Sequence, residues 1–463
     1  MTGGRVAAGA GREAGRSAVL CASGSLGLTP FHAESFWAGI ATGPDVVAAD
    51  AGSGDIGPFY LGSGHWYNLR EWEEQDLTTM LKGARQCGAR MIVGSAGGAG
   101  LDQAVDLYFD ILSAAIKREG LGPLKVARIY SQVTLDWLRA RVECSSPLGA
   151  PWPLTDEVID QTTNAVAMIG VEPYLRALDE GADVIIAGRS CDDVLFAAHP
   201  IWIGLDRGLA LHMGKCIECG PLVATPPLQR ESVVGIVHPD GFTVEPLHPG
   251  MRCTPESVTG HTLYERLDPY LQAGPGGSVD MSGVVYEAET DRMVMVTGSR
   301  WVPDSDYKVK IEGSGRVGAR KLVIFGFRDP VAIAHIDEIT ADIRREVTRV
   351  VGPDGWQLHF SVFGRNAIMG ERDTLGGESG HEIAVLAQAI APDVAVATRI
   401  AKLVKYGSLR AQYGGKFGKG GGAALPGDEV LTPDQEAYRW TIDHLVSVRD
   451  PFECCRLRLD TVG

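Results

Sequence analysis

Short apolar stretches alternate with longer amphipathic ones along the first half of the chain. Ser17–Ser23 (SAVLCAS), Asp45–Asp50 (DVVAAD), Arg90–Gly94 (RMIVG), Lys125–Ser131 (KVARIYS) and Asp183–Gly188 (DVIIAG) are brief and apolar at successive positions. That pattern predicts strands buried on both faces. Between them the spacing predicts helices over Pro30–Ala41, Leu77–Cys87, Asp102–Arg118 and Val166–Gly181. Repeated strand–helix units predict an α/β fold, a doubly wound and mostly parallel Rossmann-like domain over residues 19–230.

Past residue 230 the pattern changes. Ser232–Leu247 and Ser278–Val302 alternate polar and apolar residues around turn signals, which predicts antiparallel strands. A strand over Lys321–Phe327, a helix over Pro330–Val351, strands over Gln357–Gly364 and His381–Ile390 and a helix over Asp393–Arg410 follow. That βαββα order predicts a ferredoxin-like part within an α+β domain covering 231–463. The first 18 residues carry no apolar run that would serve as a secretory signal, and a disordered start over 1–18 is expected. No apolar run is long enough for a transmembrane helix, which needs roughly 20 residues.

Composition narrows the function classes. Acidic residues number 58 against 43 Lys and Arg, a formal net charge of −15. Such a body repels phosphate backbones, so nucleic acid is not an expected partner. Nine scattered cysteines fit a reducing cytoplasm rather than a disulfide framework. Glycine is the outlier: 59 residues of 463, nearly twice the usual share of about 7%.

The glycines gather just after the predicted strands, in AGSGDIGPFYLGSG (Ala51–Gly64), GSAGGAG (Gly94–Gly100) and GRSCDD (Gly188–Asp193). Carboxyl ends of parallel strands are where such folds bind ligands, and backbone N–H groups there can hold an anion. Asp50, Ser53, Asp55, Ser95, Gly97 and Gly98 are therefore candidate substrate-binding groups. Arg189 suits a bidentate clamp for a carboxylate or phosphate, with Asp192 beside it. An Arg189–Asp192 ion pair that fixes the loop is the alternative. The glycine spacings are those of neither a Walker loop nor a dinucleotide fingerprint.

A second constellation lies in GLALHMGKCIECG (Gly208–Gly220), where helical spacing brings His212, Lys215, Glu218 and Cys219 towards one face. Together they offer base, cation, acid and nucleophile. Cys216 and Cys219 spell C-x-x-C, but no second pair accompanies them, so a zinc or redox role is not expected of that motif. In RCTPESVTGHTLYE (Arg252–Glu265), Thr254 or Ser257 with Glu256 predicts a helix cap.

These stretches resemble the acyclic terpene utilisation protein family. The matching segments include DAGSGDIGPFYLGSG, GSAGGAG, GADVIIAGRSCDD, GLALHMGKCIECG, RCTPESVTGHTLYE, VTGSRW, YKVKIEGSGRVGAR, FRDPVAIAHIDE and GGAALPGDEV, from about Val19 onward. The resemblance implies a cytoplasmic catabolic or biosynthetic protein acting on organic acids or their CoA thioesters. Family members usually carry an aliphatic residue at Cys216, an aromatic one at Cys191 and proline at Asp193, so the pocket is expected to differ locally here.

The expected function is a lyase or isomerase (hydration, dehydration or a double-bond shift) on a small carboxylic acid or its acyl-CoA thioester. The setting is catabolism of acyclic terpenes and branched acids, or specialised-metabolite biosynthesis. His212 is the expected general base, Lys215 the charge stabiliser or acid, and Arg189 with the loop amides the carboxylate site. Asp50, Asp55 and Asp192 orient groups or hold an optional divalent ion, and the metal requirement stays open. Two alternatives stand beside this: a non-catalytic acid- or CoA-binding subunit of a hetero-complex, and an acyltransferase working through Cys219. A small-molecule acid or acyl-CoA, no membrane, and a homo-oligomer with an optional small partner subunit complete the expectation.

Overall fold

Five of the apolar runs pair as parallel strands: β1 (Ser17–Cys21), β2 (Val46–Asp50), β3 (Arg90–Gly94), β4 (Leu124–Tyr130) and β5 (Val184–Ala187). Their order in the sheet is β1-β2-β3-β5-β4. Every position of β1, β2 and β5 is buried, which is why these runs lack polar alternation. Successive side chains feed opposite cores. Val19, Val46, Ile92 and Ile185 join one cluster, whereas Leu20, Val47, Val93 and Ile186 join another under the helices Arg70–Cys87 and Asp102–Glu119.

The computed structural model describes residues 15–52, 54, 56–375, 377, 379–418, 420–427, 432 and 435–463. They form a mixed α/β protein of several sheets and helices. One compact unit comprises the residues up to Gly315 with Trp440–Gly463, and the other is Arg316–Arg439.

The parallel block does not end at residue 230. Strands β6 (Val233–Val237), β7 (Phe242–Pro246), β8 (Val285–Ala288) and β9 (Val294–Thr297) extend the same sheet from β1 by antiparallel pairing, and β10 (Arg456–Val462) closes the far edge against β4. The expected domain boundary at 230/231 is therefore corrected: β6 satisfies the open backbone groups of β1, an edge the strand would otherwise expose. Two smaller expectations change as well. β1 already begins at Ser17, inside the stretch expected to be disordered, while residues 1–14 lie outside the described residues. The stretch Val166–Gly181, expected to carry a helix, does so over Glu172–Asp179, and its start belongs to a strand, Asn164–Met168, that pairs with Lys310–Ser314.

In the smaller unit the strand Lys308–Phe327, from Ala319 on, pairs antiparallel with Ile383–Ala391, which in turn pairs with Gln357–Phe363. Helix Ile336–Val351 buries Ile336, Ile339, Ile343 and Val347, a one-face spacing. With Val394–Leu409 it closes a core around Phe325, Val385 and Ile400.

Glycine excess has a packing cause. Gly100 has φ +68°, and a Cβ there would collide with the backbone of Arg189. Gly214, inside the helix Arg207–Ile217, lies against the backbone of Asp193, with no room for a side chain. Gly100→Ala is expected to lower stability on the order of 1–3 kcal/mol, since it adds both strain and overlap. Urea denaturation of the two proteins measures it, and an unchanged midpoint would contradict the packing account.

Candidate functional site

β2, β3 and β5 are neighbours, so the loops leaving their carboxyl ends meet. Ala51 N–H donates to the Gly94 carbonyl at 3.0 Å, and Ser95 N–H to the Gly188 carbonyl at 3.1 Å. A cavity of about 730 Å³ opens beside these ends, its wall including Asp50, Gly52, Arg189, Asp192, Lys215 and Glu218. Among the described residues its lining carries seven acidic and four basic side chains. Ser53 and Asp55, expected to contribute, lie outside the described residues.

Arg189 is anchored before any ligand arrives. Its Nε donates to Glu312 Oε2 at 2.9 Å, and Nη1 reaches Ser95 Oγ and Asp192 Oδ1, each at 3.5 Å. Lys310 Nζ holds the other Glu312 oxygen at 3.0 Å. Burial disfavours the Glu312 carboxylate, but Arg189 and Lys310 outweigh it and pull its pKa down to about 2. For Arg189 burial likewise opposes the charge, while Glu312 and Asp192 hold the guanidinium firmly protonated. The ion-pair reading of Arg189 is thus present in the geometry, with Glu312 as the nearer partner.

Asp50 ends β2 with its carboxyl inside the protein. Gly52 N–H donates to Oδ2 at 2.7 Å, and the buried Oδ1 has no hydrogen-bond partner. Burial, reinforced by the charge of Asp192, raises its pKa well above the carboxylate range. Asp192 is raised too, by burial against the pull of Arg189. Asp193 accepts from Gln272 Nε2 at 2.6 Å through one oxygen, and burial lifts it to about 6.

The helix Arg207–Ile217 is capped by Asp206, whose side chain accepts from Leu209 N–H at 2.9 Å, and it is buried from Gly208 to Ile217. Its reactive residues do not share one face. Lys215 and Glu218 line the cavity and form a salt bridge, with Glu265 Oε2 3.8 Å from the same ammonium. Burial works against the Lys215 charge, yet Glu218 and Glu265 more than offset it and raise its pKa. Glu218 is itself raised by burial, against the pull of Lys215. His212 turns the other way. It is fully buried, with Nδ1 2.7 Å from Ser299 Oγ and Nε2 3.1 Å from Thr262 Oγ1, and its ring packs edge-on to Phe242. Burial lowers its pKa to about 3. It is not among the lining residues of the cavity, since a helix buried all round gives each reactive side chain a different neighbour.

Other expectations are redistributed. Gly97 and Gly98 approach Trp66, Ala104 and Tyr67 rather than the cavity, and the Gly98 and Gly100 amides are spent on Ser95 and Ala96 carbonyls. The loop is a packed turn rather than an open anion cradle. Ser95 orients Arg189 instead of facing the cavity. Cys219 lines it, but burial and then Glu218 push the thiol up, away from thiolate reactivity. Cys216 points elsewhere, towards Thr262 at 3.5 Å, so the C-x-x-C pair does not act together. Thr254 caps the helix Pro255–Thr262 in a capping box with Ser257, as expected.

Lys310, Glu312 and Arg266 are among the charged lining residues that the sequence did not single out, with Asp193, Glu265 and Asp268. The alternation K-V-K-I-E at Lys308–Glu312 was the available signal, because it sets charges two apart on one strand face. Arg266 carried no such signal. Its Nη1 donates to the Thr262 carbonyl at 3.3 Å, while the buried Nε and Nη2 have no partner.

A family model described as "Acyclic terpene utilisation family protein AtuA" matches residues 64–425. No curated protein matches the chain. A crystal structure of a proposed oxidoreductase from Parabacteroides merdae ATCC 43184 is 9% identical, covering 83% of this chain and 91% of that one. Its TM-score of 0.09 gives it no bearing on fold or function.

Glu312→Gln would leave Arg189 facing a neutral partner in a buried site, and a loss of stability on the order of 3 kcal/mol is expected. The pH dependence has a definite sign. Because the folded pKa of Glu312 lies below its ordinary 4.5, the stability it contributes is full at neutral pH. It declines as pH falls below that value and is gone near 2. Denaturant titrations between those limits should show a shallower acid loss in Glu312→Gln than in wild type, and identical slopes would argue against the pairing.

Proposed function

The chain belongs to the acyclic terpene utilisation family, and from that membership and the chemistry of the cavity we propose that it is a proton-transferring lyase or isomerase. Its substrate is a small carboxylic acid or the acyl-CoA thioester of one, in the catabolism of acyclic terpenes and branched acids. The observation that carries the reading is Asp50: a buried carboxyl at the end of a parallel strand, on the cavity wall, with one oxygen unpartnered and its pKa raised. Such a group retains a proton where an ordinary carboxylate has lost it, which suits addition or removal of a proton at a substrate carbon.

The acid group of the substrate needs a cation that is not already engaged. Arg189 is occupied by Glu312, whereas Arg266 lines the cavity with two nitrogens unpartnered, and in this reading it takes the carboxylate or thioester end. Lys215 supplies fixed positive charge for the enolate-like charge that develops during proton transfer. Asp192 and Ser95 position Arg189. The acyltransferase alternative through Cys219 is disfavoured by the raised thiol pKa.

Finer architecture belongs to the same reading. The order of the parallel strands supports calling that block Rossmann-like. The smaller unit's strand order, Gln357–Phe363, Ile383–Ala391, Lys308–Phe327 and then Gln435–Ser447, supports calling it ferredoxin-like. No described helix is long and apolar enough to cross a membrane. The nine cysteines, all among the described residues, form no disulfide, which supports a cytoplasmic setting.

Turnover of unsaturated and hydroxylated branched acids, free and as CoA thioesters, tests the proposal with the purified chain. Asp50→Asn and Lys215→Ala are each expected to lower kcat by about 100-fold or more, and Arg266→Ala to raise KM. His212→Gln, provided it folds, should keep the wild-type kcat. Wild-type kcat in both Asp50→Asn and Lys215→Ala would sink the assignment, and substrate binding without turnover by wild type would favour the non-catalytic subunit.

A further inference from the structure

We propose that Glu218, Cys219 and His261 bind one divalent cation of the zinc class at the wall of the cavity. The ligand atoms of the three side chains lie within 4.8 Å of one another. Around a four-coordinate zinc, donors sit about 2.0–2.3 Å from the metal, so small side-chain rotations would close the set.

Each donor reaches the cluster for a separate structural reason. Glu218 is the C-cap residue of Arg207–Ile217, and Cys219 follows it as the chain turns into Gly220–Val223. His261 comes from the helix Pro255–Thr262, whose start is fixed by the Thr254–Ser257 capping box. Its ring stacks on Tyr264 at 5.8 Å and 14°. The independent observation is on His261 itself: only 6% exposed, with a buried Nε2 that has no hydrogen-bond partner. A buried imidazole nitrogen without a partner is costly, and the metal bond proposed at this nitrogen would satisfy it.

The donor set fixes the class of ion. One imidazole nitrogen, one sulfur and one carboxylate oxygen suit a borderline metal such as Zn²⁺ and not Mg²⁺ or Ca²⁺, which take oxygen. Coordination converts the Cys219 thiol to thiolate, so one proton leaves to solvent for each metal bound. Thiolate and Glu218 then balance the two positive charges. Lys215, now against Glu218, has Glu265 at 3.8 Å as a second acceptor for its ammonium. Glu218 and Cys219 line the cavity while His261 does not. The fourth coordination position therefore faces the cavity, as in sites that bind water or a substrate oxygen.

The test reads metal binding without turnover, so its failure is separable from failure of the proposed reaction. Full-length protein is stripped with a chelator, returned to buffer and titrated with Co²⁺ alone, then with Zn²⁺ in competition. One equivalent of Co²⁺ should bind, with the near-ultraviolet band of cobalt–thiolate charge transfer and visible absorption of a tetrahedral ion. Zn²⁺ should displace it. Cys219→Ser should lose the charge-transfer band, Cys144→Ser, at an exposed thiol, should keep it, and His261→Gln should weaken binding by about tenfold or more. Should His261→Gln fail to fold, the pair of cysteine variants still decides. Absence of the band in wild type, or its persistence in Cys219→Ser, overturns the proposal.

Discussion

Arg189 and Glu312, both buried, set the conditions for everything around the cavity. Two charges taken out of water need each other, and the pair joins a loop leaving a parallel strand to a strand that begins more than a hundred residues later. Glu312, Ser95 and Asp192 all hold Arg189, which ties down the loop after β5. Gly100 and Gly52 pack against Arg189 and Ser95 at distances that admit no side chain. The glycines and the ion pair are two parts of one solution: the backbones come close because the charges must meet, and the charges can meet because the backbones carry nothing.

The electrostatics of the cavity follow from an excess of acids in a confined space. With Asp50, Asp192, Asp193 and Glu218 on one wall, burial and mutual repulsion push the carboxyls towards their protonated forms. Glu312 goes the opposite way because two cations face it. Surroundings alone thereby raise the pKa of four of these carboxyls and lower that of the fifth. Arg266 stands apart from this balance, since its guanidinium faces no carboxylate at hydrogen-bond distance in the described contacts.

Much of the fold was legible because it rests on local pattern. β3 falls on the residues its apolar run delimits, and β2 starts only one residue late. The helix Asp102–Glu119 differs by one residue from its expected end. The sheet's extension by β6 to β9 was not legible, because pairing partners are not written in a strand's own sequence. The site was half legible. Asp50, Arg189, Lys215 and Glu218 do meet on one cavity, as the strand-end rule and helical spacing suggested. His212 does not reach it, because helical spacing reports which residues are close along a helix and not which neighbour each side will meet. In a helix buried all round, that second fact is decided by β7 and by Ser299 and Thr262, distant in sequence.

The larger unit is discontinuous in the chain, and β10, the strand that closes its sheet, is made only after Arg316–Arg439. During synthesis the parallel block waits with an open edge at β4 while that stretch emerges, a delay on the order of ten seconds at ordinary elongation rates. Arg128 on β4 meanwhile has only one of its two carboxylate partners, Asp106, because the other, Asp460, belongs to β10. The order of translation thus leaves this protein a nascent sheet edge to shield, a demand on the cell's folding machinery that the finished molecule no longer displays.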